Sequence, residues 1–188
     1  MKRYILYFAF LFIGISVYTQ AKNQISFFEE HIDFTLDNKY FIINGIYSFH
    51  NNTDRIINQQ ILFPFADKTT TIDSIKIINL STCTNIQFKR LENSVLFNFM
   101  LPPKDTVDVN IFYKQKISAV NRYIITSTQL WEEPLEKAVY TLTIDKNLKI
   151  KSFTYIPDSI GETGNEQLYF WKKRHFMPKI DFEITIDK

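Results

Sequence analysis

Hydrophobic and polar residues alternate with a period of two along much of this chain. Between 27 and 36 one phase reads Phe28, Glu30, Ile32, Phe34 and Leu36; the other reads Phe27, Glu29, His31, Asp33 and Thr35. Successive side chains of a strand point to opposite sides of its sheet, so the first phase predicts a buried face and the second a solvated one. Asp37-Asn38 supplies a turn, and a second β-rich run covers 40–49. The cluster His50-Asn51-Asn52-Thr53-Asp54 separates it from a third run, 56–63, which Pro64 stops. Further strands are predicted at 72–80, 86–91, 95–101, 107–117, 123–127, 138–144, 149–156, 168–176 and 180–186. Glu92-Asn93, Pro102-Pro103-Lys104-Asp105, Asp145-Lys146-Asn147 and Pro157-Asp158 punctuate them, and the longest predicted loop is 157–167. Short strands at this spacing, rich in aromatic and β-branched residues, predict an all-β, antiparallel β-sandwich of about 10–12 strands. The best helical candidate, 129–138, is interrupted by Pro134.

One apolar stretch does not alternate. Lys2 and Arg3 precede an apolar run at 4–18, 15 residues long, which Thr19-Gln20-Ala21 follows. A basic start, an apolar middle and small residues at the end are the layout of a secretory signal peptide. The run is shorter than the roughly 20 residues a spanning helix needs. The reading is therefore a cleaved leader at 1–21 and one β-sandwich domain at 22–188, with no stable membrane insertion after cleavage. It places the domain outside the cytoplasm, in the periplasm first, with the cell surface or release from the cell as alternatives.

Charge then changes the picture. The chain holds 22 Lys and Arg against 20 Asp and Glu, and Lys2 and Arg3 account for the whole excess. The domain after Ala21 is formally neutral, and nothing in it supplies the basic surplus by which proteins displace counterions from nucleic acid. A single cysteine, Cys83, permits no internal disulfide and leaves no candidate for a lipid-modified N-terminus; it reads as a small strand residue. Packing must supply the stability, and of the chain's 18 Phe and 10 Tyr the 15 Phe and 7 Tyr beyond the leader provide the material. Only Gly45, Gly161 and Gly164 remain beyond the leader, too few and too scattered for a loop that cradles phosphate.

Candidate chemistry is sparse. Glu29, His31 and Asp33 share one strand face and are the best metal-ligand row, but parallel neighbours on one face do not converge by themselves. The pairs Glu29-Glu30 and Glu132-Glu133 fall on opposite strand faces and form no carboxylate dyad. No serine sits in a nucleophile elbow. Asn51-Asn52-Thr53 and Asn79-Leu80-Ser81 match the N-glycosylation pattern. The segment 169–176 interleaves aromatic and basic residues. With Trp131 it yields the candidate ligand-binding set Trp131, Tyr169, Trp171, Lys173 and His175, through ring stacking and charge. The competing reading is an edge strand whose lysines discourage pairing between sheets. No catalytic, cofactor-binding or metal-binding residue is assigned.

Two resemblances can be placed on residues. Glu132-Glu133-Pro134-Leu135-Glu136-Lys137-Ala138-Val139-Tyr140-Thr141-Leu142-Thr143-Ile144 resembles a segment of the N-terminal β-sandwich of the gluzincin aminopeptidases. The His-Glu-x-x-His zinc motif of those enzymes is missing, so the resemblance implies a sandwich architecture and no peptidase activity. The order of aromatic strands and Phe-Pro, Asn-x-Thr and Phe-x-Pro signals, from Tyr47 to Ile186, resembles bacterial extracytoplasmic domains of unknown function. Tyr113, closing the run that starts at Val107, reads as a structural tyrosine at a strand corner.

The expectation is an immunoglobulin-like or aminopeptidase-N-domain-like sandwich. Its function is expected to be non-catalytic: a protein-interaction module of the bacterial envelope. The alternatives are a carbohydrate or small-ligand-binding domain, and a hydrolase whose carboxylates gather from distant strands. The partner would be another envelope protein or a glycan, with no cofactor.

Overall fold

A computed structural model describes residues 24–66 and 72–187; the leader read at 1–21 lies outside them. The first half of the chain forms β1 (Ile25–Leu36), β2 (Tyr40–Asn51), β3 (Ile57–Pro64), β4 (Ile72–Asn79), β5 (Thr84–Asn85), β6 (Phe88–Arg90) and β7 (Ser94–Leu101). The second half forms β8 (Thr106–Lys116), β9 (Val120–Tyr123), a 3-10 helix (Thr126–Trp131), β10 (Leu135–Asp145), β11 (Ile150–Phe153), β12 (Ser159–Thr163), β13 (Glu166–Phe176) and β14 (Phe182–Ile186).

These strands make a β-sandwich whose second layer is split. One layer is an eight-stranded sheet in the order β12-β13-β10-β1-β2-β8-β4-β5. Two three-stranded sheets, β11-β14-β9 and β3-β7-β6, tile its inner face. Aromatic contacts show how the tiles sit. Phe34 of β1 stacks on Phe182 of β14 at 4.9 Å, and Trp171 of β13 meets the same ring edge-on at 5.0 Å. On the other side, Phe49 of β2 lies 5.1 Å from Phe99 of β7. Each such pair adds about 1 kcal/mol beyond the area it buries.

Alternation predicts the inner face well where the ladder is regular. Ile32, Phe34 and Leu36 are buried, and His31 and Asp33 face out. The first turn of that pattern is different. A β-bulge between Phe27 and Glu29 makes Phe28 an extra residue against β2, so Phe27 pairs with Phe49 and Glu29 with Ser48. The phase reverses across the bulge, and Phe27, not Phe28, joins Glu30 on the buried side.

Other expectations are corrected by tertiary structure. β1 and β10 run parallel, from Glu29 opposite Lys137 to Leu36 opposite Ile144, an exception in an otherwise antiparallel architecture. The run predicted at 123–127 ends as a strand at Tyr123 and turns into the 3-10 helix. The predicted loop 157–167 holds β12, which pairs with β13 through a turn where Gly164 takes φ +53°. Cys83 is exposed in a turn at φ 54°, not within a strand. Tyr113 lies inside β8, which continues to Lys116, and packs at 5.0 Å against Phe65 and 6.0 Å against Phe63.

Asn51 has a structural role in place of the glycosylation pattern. It is fully buried at the end of β2. Its amide donates to the carbonyls of Arg55, Leu101 and Pro102 at 2.8, 3.1 and 2.9 Å. Its side-chain oxygen accepts from the Thr53 backbone N–H at 2.9 Å and the Thr53 hydroxyl at 2.8 Å. The polar capacity of a buried amide is thereby used to tie β2, the following loop and the end of β7 together.

Candidate functional site

Between the two small sheets the second layer leaves a cleft of about 340 Å³, and the large sheet forms its floor. One wall is β3, the outermost strand of its sheet, from Gln59 to Pro64. The opposite wall is the segment after β9, with Ile124 and the 3-10 helix residues Ser127, Thr128, Leu130 and Trp131. Its size is that of small-molecule sites in general.

The helix is held by specific bonds. Asp181, just before β14, accepts from the Thr126 backbone N–H at 3.2 Å and its hydroxyl at 2.7 Å. Gln129 donates to the Pro178 carbonyl at 2.6 Å. The chain leaves the helix through Glu132, which takes a left-handed φ of 60° and donates its N–H to the Gln129 carbonyl. Trp131 packs on the large sheet, 5.9 Å from Phe27 and 5.5 Å from Phe49.

Glu30 lies on the floor, 2% exposed. Its bond from the Tyr140 hydroxyl crosses from β10 to β1 within the large sheet. Tyr47 of β2 and Tyr123 of β9 line the same cleft and share a hydroxyl bond of 2.6 Å. Gly45 makes room for this pair. A Cβ there would come within 2.7 Å of two Tyr47 ring carbons, so only glycine lets the ring fold back along β2. Burial raises the Glu30 carboxyl to about pH 7, against a smaller lowering effect of the Tyr140 bond. Burial likewise pushes the phenols of Tyr47, Tyr123 and Tyr140 well above their usual range, and the nearby Glu30 charge adds to the effect. They are neutral hydroxyls at any physiological pH.

The residues named from sequence separate into two places. Trp131 is half-buried and lines the cleft. The other four lie on β13. Trp171 is buried at 1% exposure with its indole N–H on the Tyr155 carbonyl at 2.9 Å, and Tyr169 is buried beside it with its hydroxyl on Gln167 at 2.7 Å. Lys173 donates to Asp158 at 2.8 Å. Asp158 also accepts from the Lys172 backbone N–H at 2.7 Å, and these bonds hold its carboxyl below the usual range. His175 is exposed at φ 47°. β13 is flanked by β12 only along residues 166–170, so the lysines occupy its uncovered part. The row Glu29, His31 and Asp33 faces outward, with Glu29 paired to Lys137 and Asp33 accepting from Thr141 at 2.6 Å. Among the described residues no three His, Cys, Asp or Glu side chains are grouped to hold a metal.

Sequence reasoning did not single out Glu30 as a site residue. The signal was present: an acid occupying the apolar phase of an alternating strand. Such a group is either paired across the core or turned toward a cavity.

No family model and no curated protein matches the sequence. Solved structures do. A candidate nutrient-binding protein from Legionella pneumophila superposes with a TM-score of 0.69 at 16% identity, covering 87% of this chain and 67% of that one. An M1 zinc metallopeptidase from Deinococcus radiodurans superposes with a TM-score of 0.51 at 8% identity, covering 87% of this chain. The chain spans less than half of that peptidase, 42% of its length. At such identities the likeness is one of fold, and the fold is an aminopeptidase-N-domain-like β-sandwich.

Proposed function

We propose that this chain is an exported, non-catalytic β-sandwich that binds a small ligand in the cleft between β3 and the 3-10 helix. The observation that carries the reading is the cleft itself: about 340 Å³, with Phe27, Phe49, Phe63 and Trp131 in its lining and the Glu30 carboxyl and the Tyr47–Tyr123 hydroxyl pair on its floor. Few polar groups in an apolar cavity are what orient a ligand in such sites. The similarity to a candidate nutrient-binding protein supports the same reading. Glu30 is the one carboxyl among the described residues lining the cleft, whereas glycoside hydrolysis calls for two. The leader at 1–21 supports a place outside the cytoplasm, and among the described residues no helix is long and apolar enough to cross a membrane.

A ligand entering the cleft would alter the surroundings of Trp131. The test is the intrinsic fluorescence of the protein against a panel of small amines, amino acids, sugars and aromatic acids, repeated with Trp131→Phe. A saturable change that the substitution abolishes is expected. A flat response across the panel overturns the small-ligand reading. Leu62 and Leu130 stand at the rim, 59% and 85% exposed, and these apolar side chains favour a second reading, an envelope protein docked over the cleft. That reading predicts a partner retained from envelope extract by the wild-type protein and lost with Leu130→Glu.

A further inference from the structure

Among the described residues the buried acid Glu30 has no basic partner. It takes part in none of the ion pairs found among the described residues, and no Lys, Arg or His is among those that line the cleft. The titratable groups that face it are phenols: Tyr140 from β10, which donates to it, and Tyr47 from β2 and Tyr123 from β9, bonded to each other. Tyr113 of β8 lies near enough to act on both of the latter. Among the described residues nothing there offers positive charge. Phe27 and Phe49 from the large sheet and Trp131 from the 3-10 helix line the same cleft, with their rings packed 5.1–5.9 Å apart, and aromatic rings carry negative charge on their faces.

A cation meets this arrangement twice over, through the carboxylate and through the ring quadrupoles. An anion meets repulsion from both, and a neutral apolar molecule leaves the carboxyl unused. We propose that the cleft binds a small organic cation, an amine carried on an aromatic or apolar body, with its ammonium at Glu30 and its body against the aromatic lining that Phe27, Phe49 and Trp131 form. This rests on the small-ligand reading and names the ligand class.

A proton is coupled to the event. The free carboxyl, raised to about 7, is largely protonated at pH 6, while the ammonium requires the carboxylate. Binding below that range releases a proton, and affinity falls about tenfold per pH unit there.

The test uses 2-phenylethylamine and its uncharged analogue 2-phenylethanol, followed by titration calorimetry and by Trp131 fluorescence at pH 6 and pH 8. The amine is expected to bind roughly tenfold tighter than the alcohol at pH 8 and to lose close to tenfold at pH 6, while the alcohol is unaffected by pH. Calorimetry at pH 6 in buffers of different protonation enthalpy should report the released proton. Glu30→Gln, nearly isosteric, should erase both the amine's advantage over the alcohol and its pH dependence. Equal affinity for amine and alcohol at pH 8, or an amine preference that survives Glu30→Gln, overturns the cation assignment and leaves the small-ligand reading standing. Absence of binding by both compounds, in protein with a native unfolding curve, overturns the two together.

Discussion

Asn51 illustrates how a single polar side chain can organise a sandwich. Its five hydrogen bonds join strand ends that lie 50 residues apart in sequence, Asn51 and Leu101. Asn51→Ala would leave the Leu101 carbonyl buried without this donor and free the 51–55 loop. A loss of about 2–4 kcal/mol is expected, read by urea unfolding; a loss below about 0.5 kcal/mol would mean the loop is held by other contacts. Glu30 shows what one chain segment reveals and what it withholds. Its place in the apolar phase of 27–36 is legible, because alternation alone puts it on the buried side. Its surroundings are not. Tyr140 reaches it across a parallel pairing 110 residues away, and Tyr123 arrives from the other layer. Phe27 turns inward because of a bulge that leaves no mark on periodicity. Trp131 and Trp171, equivalent as aromatics in sequence, are separated by burial: one borders a cavity and the other fills the core.

At the scale of elements, strands were readable and their ends were not. Long runs such as β2 and β8 carry enough alternating residues for their faces to be assigned from pattern. The 3-10 helix has no such pattern. It exists because the chain must turn from β9 back to β10, and Asp181 and Pro178, some 50 residues later, secure it. β12 was hidden for a related reason: its partner residues in β13, across a turn with Gly164, give it its ladder, while its own side chains are mostly exposed. Glu132 closes the helix in a conformation that costs an L-residue about 1 kcal/mol. Glu132→Gly should therefore raise stability by no more than about 0.5 kcal/mol in chemical denaturation, after the entropy cost of glycine is deducted. A decrease would show that the Glu132 side chain contributes more than its backbone costs.

For the molecule as a whole, the buried carboxyl makes stability depend on pH in a definable window. Glu30 moves from an ordinary 4.5 to about 7 on folding, so the folded state holds its proton more tightly than the unfolded one. Stability from this group is fully present below about pH 4.5 and is lost as pH rises through 7. The shift corresponds to about 3 kcal/mol. Against wild type, Glu30→Gln should gain on that order between pH 4.5 and pH 8, seen as a melting temperature that declines less over that interval. Parallel curves for the two proteins would mean that the Glu30 carboxyl is hydrated in the folded state. A cationic occupant at Glu30 would restore what the wild type loses, so the ligand-free protein bears this destabilisation only while the cleft is empty.

The parallel pairing of β1 with β10 has a consequence in time. β1 is made first, and β2 can pair with it at once across a short turn, but its other edge stays open until residues 135–145 exist. The large sheet therefore closes late, around a seam in the middle and not at its margin. Contacts of such sequence separation slow folding, and an open central edge is a template for pairing with other chains. Glu30 and Tyr140 lie on opposite sides of that seam, so the cleft floor is completed in the same event that removes the exposed edge.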